Sequence, residues 1–394
     1  MSTTAKAHGL DGTLGSPDWP PLTNAEVSVV LREYPGLLGP FQLLSVSPRP
    51  FSAASLVLCR EGRRVLVKRH ARAVRDAAGL GEEHRFLKYL WDREARVPKV
   101  LADAHGATAI ETGDWTYEVH AAANGRDVYE DAISWTPFHC AEHARAAGRA
   151  MARLHVAAEG YDAPARRGRA LVAGFTIFAA KDPGAELDRY LEARAALQTY
   201  LAQTDCRATT LGLLTPFHAE LMPLLPALEP LWTHNDLHPS NLFWSEAGSS
   251  ANVTAAIDFG LCDRTHAVHD VVHAIERSIV DWLALLHDPG HPEKVAVHLD
   301  HLWALLDGYE SVRRMSDCEA KALAPMLALC HAEFALSETD YFLSVLDSHE
   351  KAWFACEGYL VLHARWWRGE GAKLLDALRR WADKRGLVAG AVQG

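Results

Sequence analysis

Residues 231–241 read LWTHNDLHPSN and residues 257–260 read IDFG, with room between them for little more than one β-hairpin. No other feature constrains the fold as tightly. Asp236 and Asn241 stand five positions apart (241 − 236), and Asp258 follows seventeen positions later (258 − 241). A tight turn carrying the first pair, then a short ribbon leading to the third residue, brings two carboxylates and an amide to one place. A single His, Asp or Asn in a loop ordinarily caps a helix or closes a turn. Three at this joint spacing point to chemistry instead. Phosphoryl transfer asks a protein for positioning and charge neutralisation more than for covalent work. In that scheme Asp236 orients an acceptor hydroxyl and takes its proton. Asn241 and Asp258 hold Mg2+ against ATP through hard oxygen ligands.

The rest of the chain falls into two patterns. Residues 1–20 are rich in Gly, Thr, Ser and Pro and read as a mobile tail. Thr23 and Glu26 form a capping box ahead of Val27, Val30, Leu31 and Tyr34 at helical spacing. Short β-branched runs follow at 41–46, 55–59 and 64–68, the last two joined by a turn. Leu80, Glu83, Leu87 and Leu90 then share one helix face, and two more strands lie at 107–111 and 115–119. Beyond the polar junction at 123–126 the pattern is helical, interrupted by the hairpin 241–257 and expected to close near Gly386. The predicted fold is α+β and bilobal: residues 21–122 form a small antiparallel β lobe with one main helix, residues 123–394 a larger helical lobe.

Lys68 ends a strand, where its ammonium can reach α- and β-phosphates. Glu83, beside the apolar stripe of the next helix, is the expected partner that fixes it, with Glu82 the competing acid. The loop 47–55 contains no glycine, yet the small residues from Ser52 to Ser55 can bring backbone N–H groups to phosphate.

Bulk properties exclude several alternatives. The net charge of −10 argues against non-specific nucleic-acid binding, which needs a basic footprint. No run of about 18 apolar residues marks a membrane span, and the first residues lack the apolar core of a signal peptide. The seven cysteines are scattered, with no CxxC pair, as in a cytoplasmic protein with reduced thiols. Cys262, near Asp258, reads as an inert packed thiol.

Over residues 41–275 these landmarks resemble the aminoglycoside phosphotransferase, choline kinase and homoserine kinase relatives, which share the protein-kinase-like fold. The resemblance implies a catalytic Asp236, metal ligands at Asn241 and Asp258, and a phosphate-anchoring pair of Lys68 and Glu83. It places the adenine hinge at Val119, His120 and Ala121, with Phe243 and Ile257 lining the base pocket. It gives Asp270 a structural role at the following helix, and it implies a small-molecule hydroxyl as acceptor. No activation loop or APE motif follows IDFG, which disfavours a Ser/Thr kinase of proteins. The residues leave two other readings open: a nucleotide-binding pseudokinase, and a zinc hydrolase using His269 and His273 at i and i+4 with His266 before them. Acids and aromatics at Glu276, Asp281, Trp282, Glu333, Glu338, Asp340, Tyr341, Trp353, Trp366 and Trp367 predict an acidic acceptor wall suited to an amine-bearing or polyhydroxylated acceptor.

Overall fold

A computed structural model describes residues 7–8, 14–15 and 17–392 except 48 and 169, with side chains from 17 to 385. Within the expected mobile tail, residues 1–6, 9–13 and 16 lie outside the described residues. Ala7–His8 (β1) and Leu14–Gly15 (β2) pair as a short antiparallel ribbon. Residues 17–20 are anchored rather than mobile. Asp18 accepts a hydrogen bond from Tyr341 at 3.2 Å and pairs with Lys351, and Trp19 meets Trp115 edge-on at 5.6 Å.

The capping box at Thr23 and Glu26 forms and starts α1 (Asn24–Leu31). A five-stranded antiparallel sheet follows, in the order β3-β4-β5-β7-β6. Its strands are β3 (Gln42–Val46), β4 (Ala53–Leu58), β5 (Arg64–Ala71), β6 (Ala109–Thr112) and β7 (Trp115–Ala121). Helix α2 (Ala77–Asp92), capped by Asp76, lies between β5 and β6 in the chain. Strand alternation sorts the side chains by face. Val57, Val65, Val67, Tyr117 and Val119 pack with Val27, Val30 and Leu31 of α1 in one apolar core. The other face carries Lys68 directly opposite Glu118.

Past Ala121 the chain crosses to the helical lobe. Gly125, at φ +110°, permits the crossing, because a Cβ there would collide with Thr254 and the Trp244 carbonyl. Arg126 and Trp244 then exchange backbone hydrogen bonds of 2.8 and 2.9 Å. Helices α3 (Ala141–Ala158), α4 (Pro183–Leu191), α5 (Ala195–Ala202) and α6 (Cys206–Leu221) come next. The strands β8 (Pro230–Thr233), β9 (Leu242–Trp244), β10 (Val253–Ala256) and β11 (Asp263–His266) form two antiparallel ribbons, β9–β10 and β8–β11. Helices α7 (Ala267–Ile279), α8 (Trp282–His287), α9 (Leu299–Glu310), α10 (Asp317–Leu329) and α11 (His331–Ser344) complete most of the lobe. After α12 (His349–Trp353), a π-helical stretch at Phe354–Val361 leads into α13 (Leu362–Arg368) and α14 (Ala372–Val392). The last helix runs through Gly386 instead of stopping there.

Packing joins Cys206 of α6 to Cys356 of the π-helical stretch in a disulfide, which corrects the expectation of uniformly reduced thiols. The two cysteines are 150 residues apart, so no local spacing could announce the pair. Cys262 is buried, and burial pushes its thiol up, consistent with an inert packed group. None of the helices among the described residues is long and apolar enough to cross a membrane.

Helices α3 and α9 touch backbone to backbone. A Cβ at Gly148 would strike the Leu305 carbonyl, and one at Gly308 would strike the Arg145 carbonyl. Gly308→Ala is therefore expected to lower stability by about 1–3 kcal/mol through overpacking. Chemical denaturation checks this, and an unshifted midpoint would mean that the two helices separate at little cost.

Candidate active site

The site is assembled from the turn after β8, the β9–β10 ribbon and the cleft face of the upper sheet. His234 fixes the turn. Its Nε2–H donates to the Ile257 carbonyl at 2.8 Å, while Nδ1 accepts the Asp236 amide at 3.1 Å. One imidazole thus ties the IDFG segment to the turn that carries Asp236, and both contacts together require the neutral ring. Burial first, opposed by Asp270, lowers its pKa and keeps it neutral. Asn235 adopts a left-handed backbone, φ +59°, and its side chain is held by Thr233, Thr265, His269 and the Leu261 carbonyl. Asp270, fully buried in the first turn of α7, accepts the amides of His234 at 3.0 Å and Asn235 at 2.8 Å.

The three motif residues do converge. Asn241 donates to the Asp236 carbonyl at 2.9 Å and to its carboxylate at 3.1 Å, leaving the amide oxygen for another partner. Asp258, also left-handed at φ +60°, receives Lys68 at 3.1 Å. Burial alone would raise the Asp258 carboxyl, but the Lys68 charge outweighs it and holds the group at about 2. Its side chain is 36% exposed, so water in the cleft screens part of that attraction.

Lys68 does not pair with Glu83. Its second partner is Glu118, 3.7 Å away and directly across the β5–β7 ladder. Glu83 instead lies 3.6 Å from Arg166, a residue of the irregular segment after α3. Arg166 also donates to the Gly260 and Gly79 carbonyls, so it clips α2 to the IDFG turn and draws Glu83 to itself. Glu82 lies 4.0 Å from the same guanidinium. Glu118 is a hub. His70, His84 and His120 all contact its carboxylate, at 2.9, 2.8 and 2.7 Å. Burial would raise that carboxyl, but His120 and Lys68 hold it well below the usual range. Alternation along β7 carries this signal in sequence, since Glu118 and His120 share the face that Lys68 presents.

Two cavities meet at the motif. The larger, about 650 Å3, lies under the sheet and is bordered by Ser55, Glu83, Ala121, Ala123, Phe243 and Ile257 among others. The smaller, about 170 Å3, lies beside Asp236 and Arg277. Arg49, Ser52, Lys68, Asn241 and Asp258 border both. Phe243, Ile257 and Ala121 are on the border of the larger cavity, and Ser52 is on the border of both. Val119 is not: its side chain is buried in the α1 core, and its carbonyl accepts Leu101 N–H at 2.8 Å. The cleft edge is formed by residues 120–123 instead. Ser55 borders the cavity, but its hydroxyl is buried without a partner, on the strand face shared with Val57.

The expected acidic wall is largely spent elsewhere. Glu333 accepts the amides of Thr176 and Ile177, and Asp340 lies 3.7 Å from Arg194. Trp282, Trp366 and Trp367 are core residues, Tyr341 is buried, and Trp353 is exposed. Of that group only Glu338 borders the small cavity. The zinc reading also finds no footing. His269 and His273 meet edge-on at 4.5 Å in the core, and no metal-capable group of three among the described residues includes either. Arg49 and Arg277, both bordering the small cavity, were not singled out from sequence.

The substitution Glu118→Gln is expected to raise the KM for nucleotide about tenfold, the scale of one charged hydrogen bond, and Glu83→Gln to change it less. Steady-state kinetics on the two variants decides this, and a larger effect at Glu83 would restore it as the partner of Lys68.

A family model described as phosphotransferase enzyme family (APH) matches residues 51–314. Among solved structures, amicoumacin kinase hAmiN in complex with AMP-PNP and Ca2+ superposes with a TM-score of 0.53 at 16% identity, over 91% of this chain and 92% of that one. An aminoglycoside phosphotransferase from Alicyclobacillus acidocaldarius gives 0.52 at 16% identity, over 93% and 98%. At that identity the likeness speaks for the kinase-like fold. No curated protein matches the chain by sequence.

Proposed function

The chain belongs to the phosphotransferase enzyme family, and from that premise we propose that it moves the γ-phosphoryl group of Mg·ATP to a hydroxyl of a small molecule. The carrying observation is the meeting of two cavities at Arg49, Ser52, Lys68, Asn241 and Asp258, with Asp236 on the side of the smaller one. The larger cavity has the size and lining for a nucleotide, with Phe243 and Ile257 against the base and the backbone near Ala121 to Ala123 at its edge. The shared residues are those a triphosphate tail and its cation require.

The donor set suits magnesium: an ionised carboxylate at Asp258 and a free amide oxygen at Asn241, both hard ligands. Bound there, the cation would neutralise charge on the β- and γ-phosphates. Lys68, steadied by Glu118, reaches the phosphates from above, and Arg49 reaches them from the β3–β4 loop. Asp236 orients the acceptor hydroxyl. The acceptor oxygen bonds to the γ-phosphorus as the bond from that phosphorus to the β–γ bridging oxygen breaks. The hydroxyl proton passes to Asp236, and ADP leaves.

Asp236→Ala is expected to fold and bind ATP while losing on the order of 10²–10⁴ in turnover. ADP release measured across amino alcohols, hydroxy acids, sugars and aminoglycosides reads this out, and retained turnover would remove Asp236 from its role. Asp258→Ala is expected to weaken nucleotide binding only when magnesium is present. Calorimetric titration with and without the metal checks it, and an unchanged magnesium dependence would reassign the ligand.

A further inference from the structure

Resting on the kinase reading, we propose that the acceptor is a small hydroxy acid, with an apolar body and a carboxylate a few bonds from the reacting hydroxyl, received by Arg277. Size comes first. A cavity of about 170 Å3 is bordered by the apolar side chains of Phe51, Ile133, Trp135, Leu283 and Phe334 on part of its wall and by polar groups on the rest. An enclosed cavity of roughly that size takes one benzene-sized molecule, so the space beside Asp236 suits a small acceptor better than a multi-ring aminoglycoside.

Charge comes second. The ionisable groups that border this cavity but not the nucleotide cavity include Arg75, Asp236, Arg277 and Glu338. Arg75 is engaged by the carbonyls of Ala170, Leu171 and Gly260 at 2.8–2.9 Å. Burial pushes Glu338 up to about 8, with Arg277 opposing and Asp18 adding, so at neutral pH it presents a protonated acid. His70 and His238 are both lowered by burial and are neutral. Asp236 is the acceptor's base. Of the other cations here, Lys68 pairs with Asp258 and Arg49 lies at the junction with the nucleotide cavity, which leaves Arg277 for the acceptor.

Arg277 is built for the task. It is 1% exposed, contacts Asp236 through Nη1, and lies over Phe334 at 5.2 Å. Its Nε and Nη2 are buried without a partner in good hydrogen-bond geometry, and Tyr359, kept neutral by burial, is the phenol acting on the same guanidinium. The other acids acting on it are Glu276, 3.7 Å from Nε, and Glu338, and burial pushes each up to about 8. A guanidinium with Nη1 on Asp236, its other donors unspent and its other neighbouring acids neutral favours a second carboxylate, by charge-assisted and often bidentate hydrogen bonds. It repels an ammonium, contrary to the amine-bearing acceptor expected from the acids of the sequence. Because Arg277 abuts Asp236, the carboxylate and the reacting hydroxyl must sit close together on the acceptor, as in an α- or β-hydroxy acid.

The experiment compares 2-hydroxy-4-methylpentanoate and 3-phenyllactate with their amides, with leucinol and with kanamycin. Binding to the full chain is measured by calorimetry with Mg·AMP-PNP, and transfer by ADP release with Mg·ATP. The acids are expected to bind on the order of 10- to 100-fold more tightly than their amides, the scale of a charged hydrogen bond. Arg277→Gln should erase that preference, and Arg277→Lys should keep part of it. Equal binding of acid and amide by the unaltered protein, no acid binding at millimolar concentration, or preference for leucinol or kanamycin would overturn the proposal. So would a loss in Arg277→Gln that is the same for acid and amide, which would make Arg277 only a support for Asp236. Transfer to leucinol or kanamycin alone would leave the kinase reading standing. Arg277-dependent acid binding with no transfer to any acceptor would leave the anion site standing and count against the kinase reading.

Discussion

The buried carboxylate of Asp270 is the constraint on which the site depends. A carboxylate with no exposure is costly unless its oxygens are paired. Here the pairing is with the amides of His234 and Asn235 and with the His155 imidazole at 3.0 Å. Burial would raise this group, but His155 and the His234 amide keep it below the usual carboxylate range. Those two amides belong to the turn that carries Asp236, and Asn235 between them sits at positive φ, a conformation a non-glycine residue holds only when its surroundings insist. The anchor on α7 therefore sets the direction in which Asp236 leaves the backbone. His234 extends the same restraint to Ile257, and so to Asp258 one residue on.

This explains which parts of the site were legible in the sequence. The turn and ribbon between Asp236 and Asp258 are local in the chain, and their spacing alone brings the three motif residues together. The upper sheet was legible as short β-branched runs, because one face is an apolar core and alternation marks it. The partner of Lys68 was not found, because it lies across a strand ladder. Glu83 looked right by helical neighbours, yet a guanidinium 45 positions beyond the end of the sheet (166 − 121), at Arg166, claims it. The register that sets Lys68 opposite Glu118 becomes visible only once β5 and β7 are paired. The Cys206–Cys356 disulfide and the anchoring of Asp18 on Lys351 are equally non-local.

The helical lobe misled for a different reason. Acids and aromatics at helical spacing there resemble a binding wall, but most are consumed in holding irregular backbone and filling the core. The segment between α3 and α4 has little regular structure to satisfy its amides. Glu333 and Ser337 of α11 do so instead, accepting Thr176, Ile177 and Val172 N–H groups. Buried polar groups must find partners, and a long irregular segment laid against a helix recruits that helix's polar side chains. Composition cannot separate such structural acids from acids that face a ligand.

What remains at the acceptor end is a small cavity whose charges are mostly paired, Lys68 with Asp258 and Arg277 with Asp236, so any donor left over carries weight. In a site lined by many solvated acids, one added guanidinium would be screened and averaged. Here Glu276 and Glu338 are held protonated by burial, so Arg277 meets one ionised acid at close range, Asp236. A base in contact with a guanidinium is held in place, and its charge is partly offset. In the proposed reaction, an acceptor whose own anion engages that guanidinium would weaken the offset as its hydroxyl arrives, easing proton acceptance by Asp236. Selectivity and activation then follow from the same contact, without requiring the lobes to move.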